Sequence, residues 1–219
     1  MSVIQLLNNK FGNDVHFVWA LSKDFGSSGF RVGILYSQNE GLIQAIRNLN
    51  IFQCVPHPMQ LITMDLLRDT AFVTEYLELS CQEIRQSYEM CTSALQQLGQ
   101  LGLPYVKAEA GIFVYVDFSS LLPQSPTFDH EAKFATLMVK VARVVMTPGS
   151  SQRDCRPGWF RICYAWISPE VLEIAMGRIE YMVNQLKTVG LFWYSDSGVL
   201  SENAFADVLL LKGPSSSGK

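Results

Sequence analysis

Residues 19–33 read Trp19-Ala-Leu-Ser-Lys-Asp-Phe-Gly-Ser-Ser-Gly-Phe-Arg-Val-Gly33, with one lysine, one arginine and three glycines in fifteen positions. The run Val15-His-Phe-Val-Trp19 that leads in is apolar and of β type. Gly26 and Gly29 mark a turn, and Val32 to Tyr36 is a second apolar run. The pattern predicts a strand–turn–strand unit with Lys23 at the end of the first strand and Arg31 eight residues later. From spacing alone, both cations can be solvated turn residues, the usual fate of lysine and arginine. They also suit a cofactor that bears an aldehyde and a phosphate, such as pyridoxal 5′-phosphate. A lysine amine can bond covalently to the aldehyde, a planar guanidinium can grip the phosphate, and glycine lets the backbone approach the anion closely. A nucleotide phosphate loop fits less well, because Gly26-Ser-Ser-Gly29 lacks the Gly-Lys-Ser/Thr ending.

Downstream, Leu42, Ile43, Ile46 and Leu49 predict a helix over 40–49, and a second is expected over 59–67 after Pro56 and Pro58. Leu77, Cys81, Ile84, Tyr88, Cys91, Leu95 and Leu98 alternate spacings of four and three, predicting a long core-packed helix stopped at Gly99. A coiled coil would share that spacing, but the flanking charge pattern is poor. Gly111 to Phe118 alternates as a strand with Ile112, Val114 and Val116 on one face. A helix over 128–145 is expected to bury Phe134, Leu137, Met138, Val141 and Val145. Trp159 to Ala165 reads as a strand. Ser168-Pro-Glu170 opens a last helix, whose inner face is expected to hold Val171, Leu172, Ala175, Ile179, Met182 and Leu186 before Gly190. Residues 208–219 read as a disordered tail.

Composition narrows the functional classes. Of 219 residues 48% are hydrophobic and 17% charged, against about 25% charged in ordinary soluble domains. This suits either a well-buried soluble enzyme or a chain whose apolar faces are covered by a further segment or a second subunit, and the second is expected. The formal charge is −3 and lysine and arginine are scattered, leaving no footprint for nucleic acid or an anionic membrane. Met1 to Asn9 shows no basic stretch followed by an apolar one, no apolar run approaches spanning length, and five scattered cysteines without a Cys-x-x-Cys suit free thiols in a reducing compartment; a cytoplasmic protein is expected. Cys54 and His57 have metal-like spacing but lack a second ligand pair, so no metal site is expected. His16, His57 and His130 sit in no hydrolase-like nucleophile context.

Three blocks in order carry a family resemblance. Ser22-Lys-Asp-x-Gly-x-x-Gly-Phe-Arg-Val-Gly33 resembles the cofactor-lysine signature of 1-aminocyclopropane-1-carboxylate (ACC) synthases, a branch of the fold-type I, class I/II aminotransferase-like enzymes. Ala110-Gly-Ile-Phe-Val-Tyr-Val-Asp117 resembles the family's small-domain strand. Thr147-Pro-Gly-Ser-Ser151 with Pro157-Gly-Trp-Phe-Arg-Ile-Cys-Tyr-Ala165 resembles its carboxylate-binding segment. The resemblance covers residues 1–185 and implies an α/β chain: the C-terminal portion of the large pyridoxal-phosphate domain over 1–70, then the α+β small domain over 71–207. It makes Lys23 the catalytic and cofactor-bonding lysine, Arg31 and Ser22 cofactor-phosphate neighbours, and Arg161 the clamp on an α-amino-acid carboxylate, S-adenosylmethionine among the substrates. Family members are typically homodimers.

Two departures accompany it. The family usually has a hydroxyl residue three positions before the lysine, where this chain has Ala20. That removes a charged-partner hydrogen bond of about 1.5–3 kcal/mol. The family's ring-stacking residue, ring-oxygen partners and pyridinium aspartate lie upstream of the lysine, and only 22 residues precede Lys23 here. The resemblance therefore implies a fragment carrying about half of an active site. Its function is expected to be amino-acid transamination or ACC synthase-like elimination. The alternative is an inactive truncated product that acts through a full-length subunit and binds pyridoxal phosphate weakly or not at all.

Overall fold

The computed structural model describes residues 3–8, 10–100, 103–189, 194–195 and 198–199. The expected tail over 208–219 and the stop at Gly190 lie outside them. The chain clusters into two compact units, Met1–Ser80 and Cys81–Lys219.

In the first unit, α1 (Val3–Leu6) precedes the antiparallel pair β1 (His16–Ala20) and β2 (Gly33–Ser37). Register pairs run from His16 with Ser37 to Ala20 with Gly33. Two helices follow, α3 (Glu40–Asn50) and α4 (His57–Arg68), with Asn39 capping α3 through its side chain at Leu42 N. The connection between β1 and β2 contains α2, a single turn over Leu21–Asp24, and a 3-10 turn over Ser28–Phe30. Lys23 is therefore helical, which corrects its expected place at a strand end: Ala20 is the last strand residue and the chain turns immediately. Apolar side chains on this unit stay open to solvent, notably Val18 at 74% exposure and Phe52 at 92%.

The long helix α5 spans Thr70–Gln100. It starts seven residues before the expected Leu77, because Asp69 breaks α4 and its carboxylate accepts from Phe72 N at 3.0 Å, capping a new helix. It also runs through Gly99. Only the later part of the predicted stripe is deep: Cys91, Leu95 and Leu98 are fully buried, whereas Leu77 and Cys81 are exposed.

The second unit is built on a four-stranded antiparallel sheet. Its members are β3 (Tyr105–Val106), β4 (Phe113–Asp117), β5 (Thr147–Pro148) and β6 (Trp159–Cys163), in spatial order β3-β4-β6-β5. Side chains alternate across a strand. One face of the sheet accordingly sends Val114, Val116, Phe160 and Ile162 into the core with α6 (Phe128–Leu137), α7 (Pro169–Val189) and the end of α5. Phe118, Phe134 and Phe160 form an aromatic centre with ring centroids 5.4–5.7 Å apart. The other face carries Phe113, Tyr115, Trp159 and Arg161, all half-buried.

Two expected core assignments are corrected. The helix expected over 128–145 leaves α-geometry at Leu137, makes a π-turn over Met138–Ala142 and ends at Arg143, which has φ 57°. Beyond it the chain is extended, so Val144 and Met146 point inward and Val145 is 81% exposed. On α7, Val171 faces out, and Met176 and Val183, which the sequence reading passed over, are buried with Leu172, Ile179, Met182 and Leu186.

Candidate active site

The Lys23–Arg31 turn is closed at its base by the Ala20–Gly33 register pair and by Leu21 N donating to Val32 O at 3.4 Å. Leu21 and Val32 are buried beneath it. Phe25 N and Ser27 N both donate to Leu21 O, and Ser27 Oγ donates to Phe25 O, so the excursion is folded upon itself. Gly26 has φ 60°, a conformation that side chains rarely adopt. Arg31 has φ 55° and one of its N–H groups donates to Ser28 O at 3.0 Å. Trp19 Nε1 donates to Asp24, and Phe25 stacks on Tyr76 at 5.3 Å. Lys23 and Arg31 are exposed and Ser22 half-buried at the same end of the ladder. A primary amine, a guanidinium with donors remaining and a hydroxyl thus share one connection of twelve residues. That donor set fits an aldehyde-bearing phosphate cofactor.

Arg161 occupies the middle of the second unit's sheet, opposite Tyr115 on one side and Thr147 on the other. Its guanidinium lies 4.3 Å from the Phe113 ring centroid and donates to Thr147 Oγ1 at 3.4 Å. It opens into a pocket of about 360 Å³ that Tyr115, Gln152, Arg153 and Asp154 also line. A planar fork resting on an aromatic face is pre-set to receive a carboxylate.

The wall of this pocket is a polar network. Tyr115 Oη donates to Asp154 Oδ2 at 2.7 Å, and Arg156 donates to both Asp154 oxygens at 3.0 and 3.1 Å. Arg156 also covers the Trp159 ring at 4.3 Å, and Trp159 stacks on Tyr115 at 5.1 Å. The Arg156 and Tyr115 hydrogen bonds hold the Asp154 carboxyl well below the usual carboxylate range. Burial, and then the bond to Asp154, pushes the Tyr115 phenol above its ordinary value. The chain is close here: a Cβ on Gly149 would meet Tyr115 Oη at 2.5 Å and Trp159 O at 3.0 Å. Tyr115, Asp154 and Arg156 were not singled out from the sequence. The alternation of β4 could have placed Tyr115 beside Arg161, but nothing local pairs position 115 with 154. Among the described residues no group of three His, Cys, Asp or Glu could hold a metal ion, and no helix is long and apolar enough to cross a membrane.

The chain shares an aminotransferase fold with solved enzymes. An aromatic aminotransferase from Pyrococcus horikoshii superimposes with a TM-score of 0.67 at 25% identity, covering 78% of this chain and 43% of that one. LysN, an α-aminoadipate aminotransferase from Thermus thermophilus solved with N-(5′-phosphopyridoxyl)-L-leucine, gives 0.70 at 19% identity, covering 86% and 46%. The class is thus that of the pyridoxal-phosphate enzymes of fold type I. The sequence matches the family described as aminotransferase class I and II over residues 2–179, and the chain belongs to that family. Among its relatives, an ACC synthase of Glycine max is 33% identical over 90% of this chain and 41% of its own length. ACC synthase 11 of Arabidopsis thaliana is 36% identical over 84% and 40%. The chain spans about two fifths of the length of these relatives.

Proposed function

We propose that this chain is part of a pyridoxal-phosphate enzyme acting at the Cα of an α-amino acid, by amino-group transfer or by ACC synthase-like elimination. The similarity to ACC synthases makes S-adenosylmethionine a candidate substrate. The observation that carries the reading is the placement of Lys23 and Arg31 at one closed end of the β1–β2 ladder, in a chain that also presents the Arg161 guanidinium in a pocket of about 360 Å³.

When bound, pyridoxal phosphate supplies the electron sink that stabilises negative charge at the substrate Cα. Lys23 would hold the cofactor through Nζ, and its amine is the group placed to move the Cα proton. Arg31 and Ser22 bind the phosphate; the αL backbone at Arg31 and the bond to Ser28 O aim the guanidinium. Arg161 takes the α-carboxylate in its fork, and Phe113 and Thr147 fix its angle. Residues 1–70 belong to the large cofactor domain and 71–207 to the small domain. The exposed apolar side chains Val18, Ile34, Tyr36 and Phe52 are, in this reading, surface that the remainder of a longer, homodimeric cytoplasmic protein covers.

Borohydride reduction in the presence of pyridoxal phosphate, followed by peptide mapping, tests the assignment. The label is expected on Lys23 in preference to Lys10, Lys107 and Lys140, and lost in Lys23→Ala. An even spread over these lysines would refute it.

A further inference from the structure

Glu131 is the fourth residue of α6 and is fully buried. Carboxylates reach that depth only when their oxygens are satisfied. Both are satisfied here by backbone: Oε1 accepts from Ser150 N at 3.1 Å and Oε2 from Gly158 N at 2.8 Å. The two donors stand at opposite ends of one surface segment. Ser150 lies in the 3-10 turn Gly149–Gln152, and Gly158 immediately precedes β6. Between them run Gln152, Arg153 and Asp154, which form the wall of the Arg161 pocket. Arg161 itself is three residues beyond Gly158.

The rest of the segment has little freedom once these ends are tied. Asp154 N donates to Gly149 O at 3.0 Å and Arg153 N to Ser150 O at 3.1 Å, closing the loop internally. Gly158 O accepts from Phe118 N at 2.8 Å. Asp154 then meets Tyr115 from the neighbouring strand. The core carboxylate therefore sits behind the sheet's binding face and grips the pocket wall at both ends, while lining none of the pocket itself.

We infer that Glu131 is a positioning residue for carboxylate binding: it clamps segment 150–158 so that the pocket wall stands at a fixed distance from Arg161. The binding half of this inference rests on the reading of Arg161 given above; the clamping half does not. Glutamine at 131 would keep one acceptor and turn an –NH2 toward the other N–H, donor against donor, so one end of the clamp is released.

The test uses the full chain and three proteins: wild type, Glu131→Gln, and Phe134→Leu. The last is a core control chosen to lose comparable thermal stability. Amide exchange at Ser150 and Gly158, the ionisation of Tyr115 by isotope-labelled tyrosine NMR, and the response of the Arg161 Nε resonance to L-methionine are read in each. Glu131→Gln is expected to speed exchange at one or both amides about tenfold or more. It should bring the Tyr115 titration back toward its ordinary range and weaken the L-methionine response about tenfold. Phe134→Leu should leave all three near wild type. The inference is overturned if both variants behave alike, or if Tyr115 and the two amides do not change in Glu131→Gln. A wild-type Arg161 resonance that ignores L-methionine, with the exchange and Tyr115 effects intact, removes the reading of Arg161 and leaves the clamp supported. Should Glu131→Gln not fold, wild-type exchange decides: the Ser150 and Gly158 protons must be protected together, and independent exchange of the two would overturn the clamp.

Discussion

Alanine at Gly158 and alanine at Gly111 make a matched pair that separates backbone strain from crowding beside the pocket wall. Both glycines have positive φ, 97° and 86°. A Cβ at Gly111 would meet nothing within 4 Å, whereas at Gly158 it would lie 2.8 Å from Ser119 Cα and 3.0 Å from Leu122 Cδ1 and Ser119 Cβ. The backbone penalty common to both is about 1–2 kcal/mol. At Gly158 an overpacking cost of about 1–3 kcal/mol adds to it, since the nearest obstacle is main chain and cannot swing away. Gly111→Ala is therefore expected to lose about 1–2 kcal/mol and Gly158→Ala about 2–5 kcal/mol. For a unit of this size each kilocalorie corresponds to about 2–4 °C in Tm. Urea unfolding followed by near-ultraviolet circular dichroism, with unchanged m-values, measures the difference. Equal losses at the two positions would refute the crowding argument. A Gly158→Ala protein of full stability would refute the close approach of residues 119 and 158 altogether.

The remaining expectations concern titration, the core and the thiols. Asp154 has a depressed folded value, so its contribution to stability is present above the ordinary carboxylate range and is lost as pH falls below about 4. Tyr115 has a raised folded value, so its contribution is whole below about pH 10 and is lost as pH rises beyond that. Melting curves across pH should show both edges soften in Asp154→Asn; unchanged edges would remove this pair from the stability profile. Val145→Lys should change stability by less than about 0.5 kcal/mol, because that side chain is 81% exposed. Met146→Ala should cost about 2–5 kcal/mol, and thermal melts giving the opposite order would restore a helix through 145. Burial pushes the Cys91 thiol up to about 12. At pH 8 an alkylating reagent with mass-spectrometric mapping should therefore modify Cys54, Cys81 and Cys155 and spare Cys91 until the chain unfolds; equal rates would contradict its burial.

Where the local pattern had a single physical meaning, the sequence read correctly. The alternation read in β4 buries Val114 and Val116 as expected, and β6 forms within the strand read over 159–165. The Ser168-Pro-Glu170 opening of α7 forms as expected. The reading failed where two local patterns competed. Helical spacing continued through Val145, but a π-turn and an αL arginine at 143 redirected the chain. Leu77 fitted the stripe of α5, yet it is exposed, while its neighbour Tyr76 stacks on Phe25.

By itself the sequence determined the family, the principal helices and the strands β1, β2, β4 and β6, and which amine and guanidinium groups are candidates for a cofactor and a carboxylate. Those properties reside in residue type and short-range spacing, which survive without coordinates. Tertiary structure alone decided that Glu131 is a core carboxylate serving Ser150 and Gly158, and that Tyr115 leans on Asp154 across 39 positions. A surface helix glutamate and a buried one look the same in a sequence. The difference is made by backbone donors from segments distant along the chain, and folding is what brings them within 3.1 Å.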